Sequence, residues 1–135
     1  MRTFIFACIH NAGRSQMSAA LFNRLADPAK AKAISAGTEP AEHVHPAVVE
    51  VMREMGIDLT AAKPQKLTAE LAAGAEMLIT MGCGEQCPLI PGLVRADWQL
   101  EDPKGKTPEV ARRIRDEIEL RVKALVEERG VGVGE

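Results

Sequence analysis

Cys8 and Arg14 stand six positions apart in the run Cys8-Ile9-His10-Asn11-Ala12-Gly13-Arg14-Ser15, directly after a short apolar stretch and directly before an amphipathic one. A thiol and a guanidinium at that spacing can attack and hold a tetrahedral oxyanion. A loop between a strand and a helix can turn the backbone N–H groups of residues 9–15 toward one centre. The first turn of the helix adds unpaired amides and the positive end of its dipole. Arg14 can bind two oxygens of such an anion side by side, a geometry that lysine does not reproduce. The same positive field favours a thiolate over a thiol at Cys8. Ser15 is placed to give its hydroxyl to the sulfur. Gly13 lets the backbone pass close to the anion, and Asn11 tolerates a left-handed conformation in a tight loop. A lone cysteine at the end of a strand is often only a small buried hydrophobe. Here the spacing, the turn-permissive residues and the strand-to-helix context together favour a nucleophile. His10 reads as a solvent-facing loop residue rather than as a base.

The elements that must position this loop follow from periodicity. Residues 3–7 form a β-rich run, and from Ser15 onward Met17, Ala20, Leu21 and Leu25 fall at helical spacing. Residues 33–36 read as a second strand closed by Gly37. Pro46 opens a helix with Val48, Val51, Met52 and Met55 on one face and Gly56 as its stop. A shorter helix follows Thr68 and halts at Gly74. Residues 76–81 form a third strand and residues 93–97 a weaker fourth. Thr107-Pro108 caps a long last helix that turns Val110, Ile114, Ile118, Val122 and Leu125 inward. Alternating strands and helices predict an α/β fold with a mainly parallel sheet. One domain is expected over residues 1–129, with residues 130–135 as a flexible, frayed tail.

In an open parallel sheet, ligands bind beyond the carboxyl ends of the strands. Cys8, Cys83 and Asp102 each follow a strand and should face one crevice. Asp102 is the candidate general acid for a departing oxygen, with Pro103 stiffening the turn and Gly105 letting the chain bend back. Asp97 and Glu101 are its neighbours in that role, and an ordinary Asp-Pro turn is the plain alternative. Cys83 and Cys87 lie four apart in Met-Gly-Cys-Gly-Glu-Gln-Cys-Pro. If that stretch is helical, their α-carbons are about 6 Å apart, within reach of a reversible disulfide. Two buried structural thiols, or half of a zinc site, are the competing readings.

The chain has 135 residues, a formal net charge of −2 and three cysteines. That size buries one sizeable core without disulfides or metal, and interspersed charges give no stripe for nucleic acid or a membrane surface. The N-terminal apolar stretch is too short for a signal peptide, and no run is long enough to span a bilayer. These features predict a cytoplasmic protein with free thiols and no resident cofactor or metal.

Four segments carry a family resemblance: CIHNAGRSQM, SAGT at Ser35 to Thr38, TMGCGEQCP at Thr80 to Pro88, and EDPKGK followed by IRDEIELRV. Together they resemble the thioredoxin-coupled arsenate reductases, which are built on the low-molecular-weight tyrosine phosphatase fold. The resemblance covers nearly the whole chain and implies four parallel strands with helices on both faces. It also implies that Cys8 attacks arsenate to give a thiol-bound arsenic adduct, that Cys83 resolves it, and that Cys87 then closes a Cys83–Cys87 disulfide for thioredoxin to reduce. Arg14 and the loop amides would hold the anion, and Asp102 would serve as acid. The segment between the second and third cysteines is shorter than in the best-known members, which leaves open which of the two resolves first. Some members bind potassium through an acidic side chain on the first helix. This chain has Ser18, Ala19 and Ala20 there, so that ion is not expected. A tyrosine phosphatase needs only Cys8, Arg14 and Asp102, usually with aromatic residues beside the cleft. This chain has no tyrosine, and no aromatic follows Asp102-Pro103. A small thiol such as mycothiol or glutathione as resolving nucleophile is the other alternative.

Overall fold

The computed structural model describes residues 1–82 and 93–134. In chain order its elements are β1 (Arg2–Cys8), α1 (Arg14–Leu25), β2 (Ala31–Gly37), α2 (Pro46–Arg53), α3 (Ala69–Ala72), β3 (Met77–Thr80), β4 (Val94–Asp97) and α4 (Pro108–Arg129). The strands form one parallel sheet in the order β2-β1-β3-β4. Cys8 pairs with Gly37 across β1 and β2, and Ala7 pairs with Thr80 across β1 and β3. The register therefore brings the carboxyl ends of three strands to one level, as the sequence pattern predicts.

The period-two alternation of β1 divides its side chains between two cores. Phe4, Phe6 and Cys8 face a large cluster with Met17 and Phe22 of α1, Val48 and Met52 of α2, and Ile118 and Val122 of α4. Ile5 and Ala7 face a smaller one with Ala36, Leu67, Leu78 and Ala72 of α3. Helices thus lie on both faces, and β1 is buried between them. Phe22 has no solvent exposure, and its ring centroid is 4.9 Å from that of Phe4 and 5.9 Å from that of Phe6. A Phe22→Ala variant is expected to lose about 3–5 kcal/mol of stability in equilibrium urea unfolding.

Local signals set the helix ends. The Thr107 hydroxyl accepts the amide of Val110 at 3.4 Å, and Pro108 takes the first helical position of α4. Thr68 accepts from Leu71 at the start of α3. At the far end of α4, Gly130 adopts φ 64°, a left-handed turn that favours glycine.

After that turn the chain packs back onto the domain. Val131 is fully buried, its amide reaches the carbonyl of Val126, and its own carbonyl accepts from Asp27 at 2.7 Å. Gly132 forms an antiparallel bridge with Ala26. Val131 and Gly132 are buried, while Val133 and Gly134 are exposed. The glycine run looked loose by composition, but the turn at Gly130 folds an apolar side chain back into the core.

Glu54, which follows α2, ties it to α4. Its carboxylate takes paired bonds from Arg112 at 2.8 and 2.6 Å and another from Arg115 at 2.9 Å. Those hydrogen bonds hold its pKa down to about 2 from 4.5. A depressed carboxylate stabilises the fold above its unfolded value, and that contribution is lost as pH falls from about 4.5 toward 2. In acid titrations followed by circular dichroism, a Glu54→Gln variant is expected to show a smaller loss of stability across that window than wild type.

Candidate active site

The loop between β1 and α1 is held by its carbonyls. Cys8 O accepts from Thr38 N at 3.3 Å, Ile9 O from Glu39 N at 2.8 Å, His10 O from Ala41 N at 2.9 Å and Ala12 O from His45 N at 2.9 Å. Asn11 O accepts from the Gln16 side chain at 3.1 Å, and Gly13 O from Met17 N at 3.0 Å. There is no cis peptide bond among the described residues. In a trans peptide the next N–H points opposite to the carbonyl. The amides of residues 9–14 therefore turn away from the segments that anchor the loop.

Asn11 is fully buried with φ 51°, the left-handed conformation its residue type permits. Its side-chain oxygen accepts the Gln65 amide at 2.9 Å, which fixes its NH2 group toward Ser15 Oγ at 2.7 Å. Ser15 Oγ lies 2.9 Å from Cys8 Sγ. Because that oxygen already accepts from Asn11, its proton is free to point at the sulfur. Cys8 itself is 2% exposed. The result is a sulfur held by a buried relay that starts at the backbone of Gln65.

Arg14 begins α1 and is 5% exposed. Its Nη1 donates to Leu100 O at 3.3 Å, and its Nη2 lies 3.5 Å from Asp102 Oδ2. Its Nε is buried without a partner among the described residues. The guanidinium is thus aimed by the segment after β4 while keeping an unused donor. Asp102 uses Oδ1 to accept the Lys104 amide at 3.0 Å, which shapes the turn, and its carboxylate is 40% exposed. Cys8, Arg14 and Asp102 are therefore brought to the carboxyl end of the sheet, as expected. Cys83 and Cys87 lie outside the described residues. His10 is half-buried, and its Nδ1 lies 3.1 Å from Glu39 O.

Several contacts around these groups were not legible in the sequence. A Cβ on Gly37 would lie 2.6 Å from Ile9 O, and one on Gly13 would lie 2.7 Å from Pro103 Cγ. Gly82 has φ +85°, and a Cβ there would collide with Arg14 Nη1. These glycines allow backbone to pack against the loop and its arginine. The SAGT segment was legible as a motif, but the contact that needs its glycine was not. A Gly82→Ala variant is expected to cost about 1–2 kcal/mol through its left-handed backbone. Displacing Arg14 should also weaken phosphate binding, measured by calorimetry, about tenfold or more.

Among the described residues, no helix is long and apolar enough to cross a membrane, and no group of three or more His, Cys, Asp or Glu is placed to hold a metal ion.

Residues 3–130 match the family described as low molecular weight phosphotyrosine protein phosphatase. A putative arsenate reductase of Halobacterium salinarum is 40% identical over 93% of this chain and 91% of its own length. A glutaredoxin arsenate reductase of a Synechocystis species is 33% identical, over 93% of this chain and 97% of its own. The solved structure of a thioredoxin-dependent arsenate reductase from Corynebacterium glutamicum superposes with a TM-score of 0.79 at 35% identity. That match covers 95% of this chain and 60% of the other, so this chain spans about three fifths of that protein's length. With the loop geometry and the four-stranded parallel sheet, these matches show that the chain belongs to the low-molecular-weight phosphotyrosine protein phosphatase family, among its arsenate reductase relatives.

Proposed function

We propose that this protein reduces arsenate to arsenite through an adduct on Cys8 and an internal cysteine relay. One observation carries the reading. Six consecutive carbonyls, from Cys8 to Gly13, are tied down outside the loop while Ser15 Oγ sits 2.9 Å from Cys8 Sγ. That arrangement leaves the amides of residues 9–14 to serve the anion, with Arg14 and the helix end beside them.

Cys8 Sγ attacks arsenic, an S–As bond forms, and an As–O bond breaks. The departing oxygen leaves as water with a proton from Asp102. Cys83 then attacks Cys8 Sγ. A Cys8–Cys83 disulfide forms, and the S–As electron pair passes to arsenic, which leaves as arsenite. Cys87 attacks Cys83, freeing Cys8 and leaving a Cys83–Cys87 disulfide. The roles of Cys83 and Cys87 rest on the family resemblance. Thioredoxin is the proposed reductant of that disulfide, in keeping with the Corynebacterium neighbour, and glutaredoxin is the alternative that the Synechocystis relative raises. The cytoplasm is the compartment in which such a couple would work.

Mixing the reduced protein with arsenate in the absence of any reductant tests the relay. One arsenite and one Cys83–Cys87 disulfide per chain, read by mass spectrometry, are expected. Wild-type turnover in Cys83→Ser and Cys87→Ser variants supplied with a small thiol would instead assign resolution to that thiol. A phosphatase is the second reading, favoured by the family match itself. Steady hydrolysis of an aryl phosphate without arsenite formation would select it.

A further inference from the structure

His45 lies far from the loop in sequence yet closes over it in space. Its amide donates to Ala12 O at 2.9 Å. Its ring makes no capping bond to α2, the helix it precedes. Instead the ring meets the loop at Gly13, where a Cβ would lie 3.4 Å from His45 Cδ2 and 2.7 Å from Pro103 Cγ. The imidazole and the proline of the Asp102–Pro103 turn thus converge on the space that Gly13 leaves without a side chain, next to the residue that carries the guanidinium.

The charged and titratable groups that face His45 are Asp102 and Lys104 from the turn, His10 from the loop and Arg14 from α1. Burial pushes the imidazole toward its neutral form, and His10, Lys104 and Arg14 push the same way. Asp102 alone favours the imidazolium.

We infer that His45 is a positioning residue for Asp102, clamping the Asp102–Pro103 turn onto Gly13 and coupling its own charge state to that of the carboxylate. The inference rests on the reading of Asp102 as the acid. Coupling of this kind is reciprocal, so whatever Asp102 does to the protonation of His45, His45 does to that of Asp102. A dianion entering the loop brings negative charge to the same neighbourhood and draws a proton onto the ring. Oxyanion binding and protonation of His45 are therefore linked.

Two measurements test this. The first is an NMR titration of the imidazoles, with the His45 signal assigned by its loss in a His45→Asn variant. Asparagine is favoured at the N-cap position that His45 occupies, so the variant does not weaken the start of α2. In the wild type the His45 midpoint should lie below 6.5. It should fall further in an Asp102→Asn variant and rise when inorganic phosphate is added. The second is single-turnover arsenite formation against pH. The His45→Asn variant should be about tenfold slower near neutrality, a fraction of what a general acid contributes. Its acid limb should be displaced from that of wild type, which a purely structural role would not do. A His45→Gln variant should show the same displacement.

A His45 midpoint that Asp102→Asn leaves in place overturns the inference, and so does an acid limb in His45→Asn that superimposes on wild type. If the wild type forms no arsenite at all, the arsenate reading fails, and the NMR titration still decides whether His45 and Asp102 are coupled.

Discussion

A Cys8→Ser variant is expected to fold as the wild type does and to form arsenite at least about 10⁴-fold more slowly, because the covalent step is lost entirely. The site accommodates the change easily. Cys8 is buried at the end of β1, and its only side-chain hydrogen bond among the described residues is the one to Ser15 Oγ. A serine hydroxyl fits that position. It does not ionise near neutrality, and no imidazole is in hydrogen-bond contact with it to take its proton. An ester formed on serine would still be a dead end, because arsenic takes up its electron pair only when a second thiol attacks a sulfur bonded to it, and the ester puts an oxygen there. The variant should bind phosphate with an affinity close to that of wild type, since the amides and Arg14 remain. Arsenite release and phosphate calorimetry together distinguish a lost nucleophile from a lost binding site.

Arg14→Lys is expected to lower the rate of arsenite formation by about 10²–10³-fold although the charge is kept, comparable to removing a preorganised donor from an oxyanion site. Arg14 spends Nη1 on Leu100 O and turns Nη2 toward Asp102 Oδ2, while Nε is buried without a partner among the described residues. A guanidinium has the further donors needed to hold two oxygens of an anion from that fixed position. A lysine ammonium is a point charge that cannot serve the carbonyl, the carboxylate and the anion together. Both the phosphate dissociation constant and the single-turnover rate should worsen, the rate by more. An Arg14→Lys enzyme with unchanged rate would remove the guanidinium from the account.

The central strand, the loop and the first helix were legible because their signals are local. Residues 3–7 form an apolar β-rich run, the Cys8–Ser15 segment has its turn-permissive residues in place, and helical spacing resumes at once. Thr107-Pro108 and Thr68 announced their helices through capping chemistry confined to four residues. The burial of Val131 was not legible, because it depends on the turn at Gly130 and on an acceptor for Asp27 more than a hundred residues away. The support of the active site was hidden for the same reason. The relay to Cys8 begins at the Gln65 amide, Gly82 backs onto Arg14, and Pro103 and His45 meet at Gly13. Each of these is a contact between segments far apart in the sequence. Sequence types named the groups proposed to do chemistry, while the contacts that aim them became visible only once the sheet register set the strand ends side by side.

The central claim is that Cys8 sits inside an oxyanion cradle. The most direct test is alkylation of the double variant Cys83→Ser/Cys87→Ser, in which Cys8 is the only thiol left of three. Iodoacetamide should modify Cys8, and inorganic phosphate should suppress that modification with a saturating dependence that chloride at equal ionic strength does not reproduce. Modification that proceeds at the same rate with and without phosphate would contradict the account.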